Sequence, residues 1–196
     1  MAGILLAAGA GSRLGQPKAL VEIAGQALVT RGVRLLRDGG AEPVIVVAGA
    51  VPLDLPGVIG VHNHDWRTGM GSSLRAGLAA LPDSAEAVVI ALVDQPLVSP
   101  QAVRRLIAAF LAGASLAVAT YGGRQRNPVL IARALWADAA VAAVGDVGAR
   151  AFLRAHPELV PVECGDTGRP DDLDTSADLA RIASLISGSG AVTAQD

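Results

Sequence analysis

Short apolar runs of strand length alternate with segments of helical hydrophobic period from one end of the chain to the other, the pattern of βαβ units around a mostly parallel sheet. This alternation makes the chain α/β. Strands are expected over residues 3–8, 43–48, 58–62, 88–93, 116–120 and 129–131. Helices are expected over 26–37, stopped by Gly39-Gly40, and from a Ser72 or Ser73 cap through Leu74, Leu78 and Leu81. Ser99 followed by Pro100 reads as a cap and first helical position for a helix to about residue 111. Further helices are expected near 133–141, 147–155 and 176–185. With 196 residues, no internal repeat and no long linker, residues 1–186 read as one domain and 187–196 as a small, polar tail.

A formal net charge of -2 leaves no basic footprint for nucleic acid or an anionic membrane. No apolar run approaches a membrane span, and the chain runs into a glycine-rich loop without a charged leader, so a cytoplasmic location is expected. The single cysteine, Cys164, has no partner for an internal disulfide and reads as a small packing residue rather than a nucleophile.

In open α/β sheets ligands bind beyond the carboxyl ends of the strands. The first strand runs into LAAGAGSRLGQPKAL, residues 6–20, where Gly9, Gly11 and Gly15 let backbone N–H groups approach an anion. Lys18 is the only lysine in the chain, and it sits in this loop, with Arg13 as its partner. A compact ammonium suits a polyphosphate. The loop is no Walker A motif, because Gln16 and Pro17 separate the last glycine from the lysine and Ala19 follows it. It nearly matches the dinucleotide fingerprint, but Pro17 interrupts the helix which that fingerprint needs. The loop is therefore expected to stay extended as far as Lys18 and wrap a triphosphate.

A second loop, Asp94-Gln95-Pro96, ends the most apolar strand. A carboxylate there suits Mg2+, which takes one or two carboxylates and completes its shell with phosphate oxygens and water. A third, Asp171 to Thr175, places Asp172 and Asp174 on one face of an extended segment, either around a cation or as acidic residues capping the next helix, with Asp178 near its start. His62 and His64 share a strand face with Asp65 nearby, and read as a pocket rim rather than a metal site for want of a third ligand. Trp66 and Trp136 read as packing or rim residues. Arg124 and Arg126 either clamp an acceptor phosphate or solvate a loop.

Together these segments resemble the MobA-like NTP transferases, the molybdenum cofactor nucleotidyltransferases, over nearly the whole chain. The loop at residues 6–20 is similar to the family's LAAGxSxRxGxxK signature, which implies that Leu6, Ala7, Ala8, Gly9, Gly11 and Ser12 hold the nucleotide and that Arg13 and Lys18 act in catalysis. Gly11 stands where the pattern has Ser. The resemblance makes Asp94 a catalytic metal ligand, Asp174 a second metal ligand, and Gly69, Ser72 and Ser73 part of the nucleotide pocket. Asn127, Asp146 and Arg150 lie in segments that resemble those facing the acceptor in the cytidylyl branch. The implied fold is a three-layer, Rossmann-like nucleotidyltransferase with a mostly parallel central sheet.

The implied reaction is Mg2+-dependent transfer of CMP from CTP to a phosphate-bearing acceptor such as molybdopterin, with release of pyrophosphate. The implied partner is a recipient molybdoenzyme or chaperone. The guanylyl enzymes carry Gly-Gly where this chain has Ala8-Gly9, which favours CTP over GTP. The alternative implied by the resemblance is an NAD(P)H-dependent oxidoreductase of the nicotine blue type. It would need an acidic residue about 20 positions past the glycines for a ribose, and Glu22 is too near while Asp38 closes a helix.

Overall fold

The computed structural model describes residues 1–189. In chain order its elements are β1 (Ala2–Leu6), a hairpin of β2 (Glu22–Ile23) and β3 (Gln26–Ala27), α1 (Leu28–Asp38), β4 (Val44–Ala48), β5 (Ile59–His62), α2 (Met70–Ala79), β6 (Ala87–Leu92), α3 (Pro100–Leu111), β7 (Leu116–Tyr121), β8 (Arg124–Ala132), α4 (Trp136–Ala142), α5 (Arg150–Ala155), β9 (Val160–Glu163) and α6 (Ser176–Ser189).

Among the described residues the main sheet has seven strands in the order β5-β4-β1-β6-β8-β7-β9. Only β8 runs against the rest, pairing antiparallel with β6 and β7, so the sheet is mostly parallel as expected. Alternate residues of each strand feed two separate cores. On one face Leu5, Val46, Val89 and Ala117 meet Leu28, Leu36, Leu106 and Ile182 of α1, α3 and α6. On the other, Ile4, Ile45, Ile90 and Val118 meet Leu74, Ala139 and Leu153 of α2, α4 and α5. This is the three-layer architecture, and each fully buried Leu or Ile contributes about 1.5–3 kcal/mol.

The antiparallel strand positions the chemistry. Ile90 of β6 pairs with Val129 of β8, so Asn127 and Arg126 lie beyond that pair, on the edge where β6 ends. Residues from both strands thereby meet at the carboxyl edge of the parallel half.

Several boundaries differ from expectation. α1 begins at Leu28 because Gln26 and Ala27 pair with Ile23 and Glu22 in the hairpin. α2 begins at Met70, two to three residues before the expected serine cap. β8 starts at Arg124, well ahead of residue 129. α5 starts at Arg150, because residues 145–147 form a 3-10 turn ended by Gly148 at φ 53°. β9 was not expected: its exposed edge residues, VPVE, show no buried run. Ser99 caps α3 as expected, its hydroxyl accepting from the Gln101 N–H at 3.0 Å. Residues 187–189 of the expected tail belong to α6, and 190–196 lie outside the described residues. Among the described residues no helix is long and apolar enough to cross a membrane.

Candidate active site

The glycine loop is anchored at both ends. Ala7 N–H donates to Val47 O at 2.9 Å and Ala50 N–H to Ala8 O at 3.0 Å, while Ala19 and Val21 are buried at the far end. Between these anchors the loop coils rather than extends. Leu14 N–H donates to Gly11 O at 2.8 Å, closing a turn, and Lys18 to Leu20 form a 3-10 turn after Pro17. The expectation of an extended wrap therefore fails, because the glycines supply left-handed turn conformations: Gly11 has φ 62°, and a Cβ there would sit 2.0 Å from Gln16 O. At Gly9 a Cβ would meet nothing within 4 Å, so its backbone is open to a ligand.

Lys18 reaches from this turn to two carboxylates. Its Nζ lies 2.7 Å from Asp94 Oδ2 and 2.5 Å from Asp174 Oδ1. Arg13, exposed, reaches Asp174 Oδ2 at 3.4 Å. Burial disfavours the charged ammonium, but Asp94 and Asp174 outweigh it and raise the Lys18 pKa above the ordinary lysine value. Burial raises Asp94 above the usual carboxylate range, and Lys18 offsets this only in part. Asp94 Oδ1 is buried and has no hydrogen-bond partner. Two carboxylates around one cation, with a spare buried oxygen, match the oxygen chemistry of a hard divalent ion that draws its other ligands from phosphate and water. No group of three or more His, Cys, Asp or Glu side chains among the described residues is arranged to hold a metal by itself.

Backbone and side-chain bonds bring Asp174 to Asp94. Leu173 N–H donates to Asp94 O at 2.8 Å, and Gln95 Nε2 donates to Asp172 Oδ1 at 2.8 Å. Leu173 is buried between the two aspartates, so Asp172 and Asp174 turn away from the core together. Asp178 plays the capping part: its carboxylate accepts from Thr175 N–H at 2.9 Å, and its own N–H donates to Thr175 Oγ1 at 3.2 Å.

A cleft of about 340 Å³ opens over this cluster, lined by Leu6, Ala8, Gly9, Lys18 and Asp94 on the sheet side and by Trp66, Gly69, Met70, Ser73 and Asp146 opposite. The start of α2 points into it. Ser72 and Ser73 do not cap that helix. Gly69 precedes it at φ 113°, and both hydroxyls accept from Asn63 Nδ2, at 2.8 and 3.0 Å. The Ser72 hydroxyl also lies within donating distance of Gly69 O and Asp65 O, so it serves the turn. Ser73 alone of the pair lines the cleft. A Cβ on Gly69 would stand 2.4 Å from the Gly145 carbonyl carbon, which shows how closely residues 145–146 pack on this turn.

A second cleft, about 280 Å³, lies beside β8 and α5 and is lined by Gln125, Arg126, Asn127, Arg150, Arg154 and Asp172 among others. Asn127 and Arg150 therefore line one cleft together, whereas Asp146 lines the first. Ser12 is exposed on the glycine loop and lines neither cleft, and Ala7 is buried beneath it. Of the residues that sequence reasoning passed over, Asn63, Gln95 and Arg154 carry no local signal. Arg67, lying 4.6 Å over the Trp66 ring, likewise carries none.

His62 and His64 meet edge to face at 4.7 Å, and the first cleft is lined by Trp66 and Arg67 rather than by either histidine. Trp136 packs with its indole N–H on Ile131 O at 3.0 Å. Cys164 is fully buried, and burial pushes its thiol pKa up, so it is a packing residue as expected.

Comparison with known proteins matches residues 3–160 to the MobA-like NTP transferase domain. The chain is 38% identical over 195 residues to nicotine blue oxidoreductase of Paenarthrobacter nicotinovorans, covering 92% of this chain and 95% of that protein. It is 34% identical over 100 residues to a probable molybdenum cofactor guanylyltransferase of Opitutus terrae, covering 50% of each. Among solved structures, a homologue of the Mycobacterium tuberculosis protein Rv0371c from Mycobacterium sp. strain JC1 superposes with a TM-score of 0.84 at 28% identity, over 95% of this chain and 96% of that one. The manganese complex of Rv0371c from M. tuberculosis H37Rv superposes at 0.76 and 25% identity, over 93% and 97%.

Proposed function

We propose, for a chain that belongs to the MobA-like NTP transferase family, that the first cleft binds CTP with a divalent cation and the second holds a phosphate-bearing acceptor such as molybdopterin. The observation that carries the reading is the Lys18, Asp94 and Asp174 cluster at the meeting of the glycine loop and the β6 tip. The acceptor phosphate attacks the α-phosphorus of the nucleotide, forming a new P–O bond while the bond to pyrophosphate breaks. An acceptor phosphate is ionised near neutral pH, so the protein needs to supply position and charge rather than a general base.

Gly9 and its neighbours offer backbone N–H groups, and Arg13 and Lys18 take the charge of the triphosphate and the departing pyrophosphate. Asp94 and Asp174 hold the cation, and Mg2+ suits their oxygens; the manganese complex of Rv0371c supports a divalent ion in such a fold. The ion supplies charge neutralisation on phosphate oxygens. Ser73 and the start of α2 face the nucleotide, and Asp146 belongs with them on this side. Asn127, Arg126 and Arg150 face the acceptor.

The choice of CTP rests on Ala8, which lines the first cleft and carries a methyl where the guanylyl enzymes have glycine. The test is pyrophosphate release on mixing the protein with Mg2+, molybdopterin and either CTP or GTP. Release that depends on both substrates and is faster with CTP supports the reading. No release with either nucleotide overturns the transfer, and faster release with GTP overturns the base preference.

The second reading is reduction of a quinone-like pigment by NAD(P)H, favoured by the similarity to nicotine blue oxidoreductase along the chain. The geometry supports it less. β4, the neighbour of β1, ends in Ala48 followed by Gly49, Ala50 and Val51, where a dinucleotide site carries a carboxylate for the ribose. A 3-10 turn and a hairpin follow the glycine loop where that site has its helix.

A further inference from the structure

An ammonium bound by the same two carboxylates that hold a metal competes with that metal. Lys18 is 16% exposed at its side chain and contacts one oxygen of Asp94 and one of Asp174. Like charges at that range repel strongly in a partly buried site, so the cation cannot settle on these oxygens while the ammonium stays. The backbone around Lys18 is fixed, because Ala19 is fully buried and Val21 N–H donates to Lys18 O at 3.1 Å. The flexible four-carbon stem is free to swing where a planar guanidinium would not.

We propose that Lys18 is a resident counter-ion at the metal's place, and that it leaves only when nucleotide phosphates offer its ammonium another partner. The inference rests on the reading of Asp94 and Asp174 as metal ligands. Without nucleotide, an arriving cation must expel a charged amine and gains no phosphate ligand in return. With nucleotide, the phosphates take the ammonium on one side and the cation on the other. Metal and nucleotide therefore load as a pair, and each tightens the other by the same factor.

Mn2+ binding, read by the paramagnetic resonance of free Mn2+, tests this in wild type, Lys18→Met and Asp94→Asn, with and without a non-hydrolysable CTP analogue. Lys18→Met is expected to bind Mn2+ without nucleotide about tenfold more tightly than wild type. Wild type is expected to bind it well only with the analogue, and Asp94→Asn not at all. If Lys18→Met binds Mn2+ no better than wild type while the analogue still promotes Asp94-dependent binding, the exchange is wrong and the metal site stands. If nucleotide-loaded wild type takes up no Mn2+, or Asp94→Asn takes it equally well, the metal site fails and the exchange falls with it.

A second measurement avoids the variant's stability. Lys18 is the sole lysine, so reductive methylation followed by peptide mass spectrometry reports on its amine separately from the N-terminus. The expected result is slow labelling in the free protein that stays slow with Mn2+ alone, at a concentration that loads the site when the analogue is present. Faster labelling with Mn2+ alone at that concentration overturns the requirement for nucleotide and the proposal with it.

Discussion

The first cleft sets small residues, Ala8, Gly9, Gly69 and Ser73, beside the ammonium of Lys18 and the carboxylates of Asp94 and Asp146, with Trp66, Arg67 and Met70 completing its wall, whereas the second is walled largely by Gln125, Arg126, Arg150 and Arg154. The glycines of the first cleft let a ligand approach the backbone closely, which suits the triphosphate proposed for it. A wall of long arginines adapts, and its selectivity can change by single substitutions without touching the fold. On the proposed reading the reaction chemistry belongs to the first cleft and the choice of acceptor to the second.

The largest effect is expected from the charges of the first cleft. Lys18→Ala or Asp94→Asn should lower kcat about 10²–10³-fold, measured as pyrophosphate release, with the circular dichroism spectrum retained. Near-parent activity in both would erase the contrast between the clefts. Next come the arginines: Arg150→Ala or Arg154→Ala should raise KM for the acceptor about 10–100-fold while leaving CTP affinity unchanged. An equal loss of CTP affinity would merge the two clefts into one site.

The glycine loop is also vulnerable to a single methyl. Gly11→Ala combines φ 62° with a Cβ 2.0 Å from Gln16 O, and should destabilise the fold by about 1–3 kcal/mol in a denaturant melt. Gly9→Ala, with open space around its Cβ, should leave the melt unchanged and weaken nucleotide binding instead.

The smallest effect separates the regions by pH. Burial would raise Asp171, but Arg181 and Arg169 outweigh it and hold its carboxyl below the ordinary range; Thr120 holds Glu163 down, and Thr175 holds Asp178 down. Carboxyls depressed in the folded state add stability that is fully present above their unfolded pKa of about 4 and is lost as pH falls through the lower folded values. Hydrogen exchange below about pH 4 should therefore accelerate in α6 and β9 before β1, β4 and β6. Uniform acceleration would contradict this.

Much of the parallel half was legible because β1, β4 and β6 are buried on both faces and so read as unbroken apolar runs. β9 was not, since an exposed edge strand shows no such run, and the two-residue strands of the hairpin are too short for any period. The start of α2 was misplaced because Ser72 and Ser73 look like caps, whereas Gly69 turns the chain and Asn63 occupies both hydroxyls. At the site, Lys18 stood out as the sole lysine and Asp94 as a carboxylate at the tip of an apolar strand. Gln95, which ties the β6 end to Asp172, is a polar residue in a turn until the fold brings the two together. Asp146 was grouped with Asn127 and Arg150 by motif likeness, and close packing of Gly69 against Gly145 places it in the first cleft rather than beside them.

The most direct test of the account is a calorimetric titration of CTP, GTP, ATP and NADPH into the protein, each with and without Mg2+, repeated with Asp94→Asn. The expected result is CTP binding that requires Mg2+, exceeds that of the purine nucleotides and disappears in the variant. Binding of NADPH that ignores both Mg2+ and Asp94, with none of CTP, would contradict the account and put the reductase reading in its place.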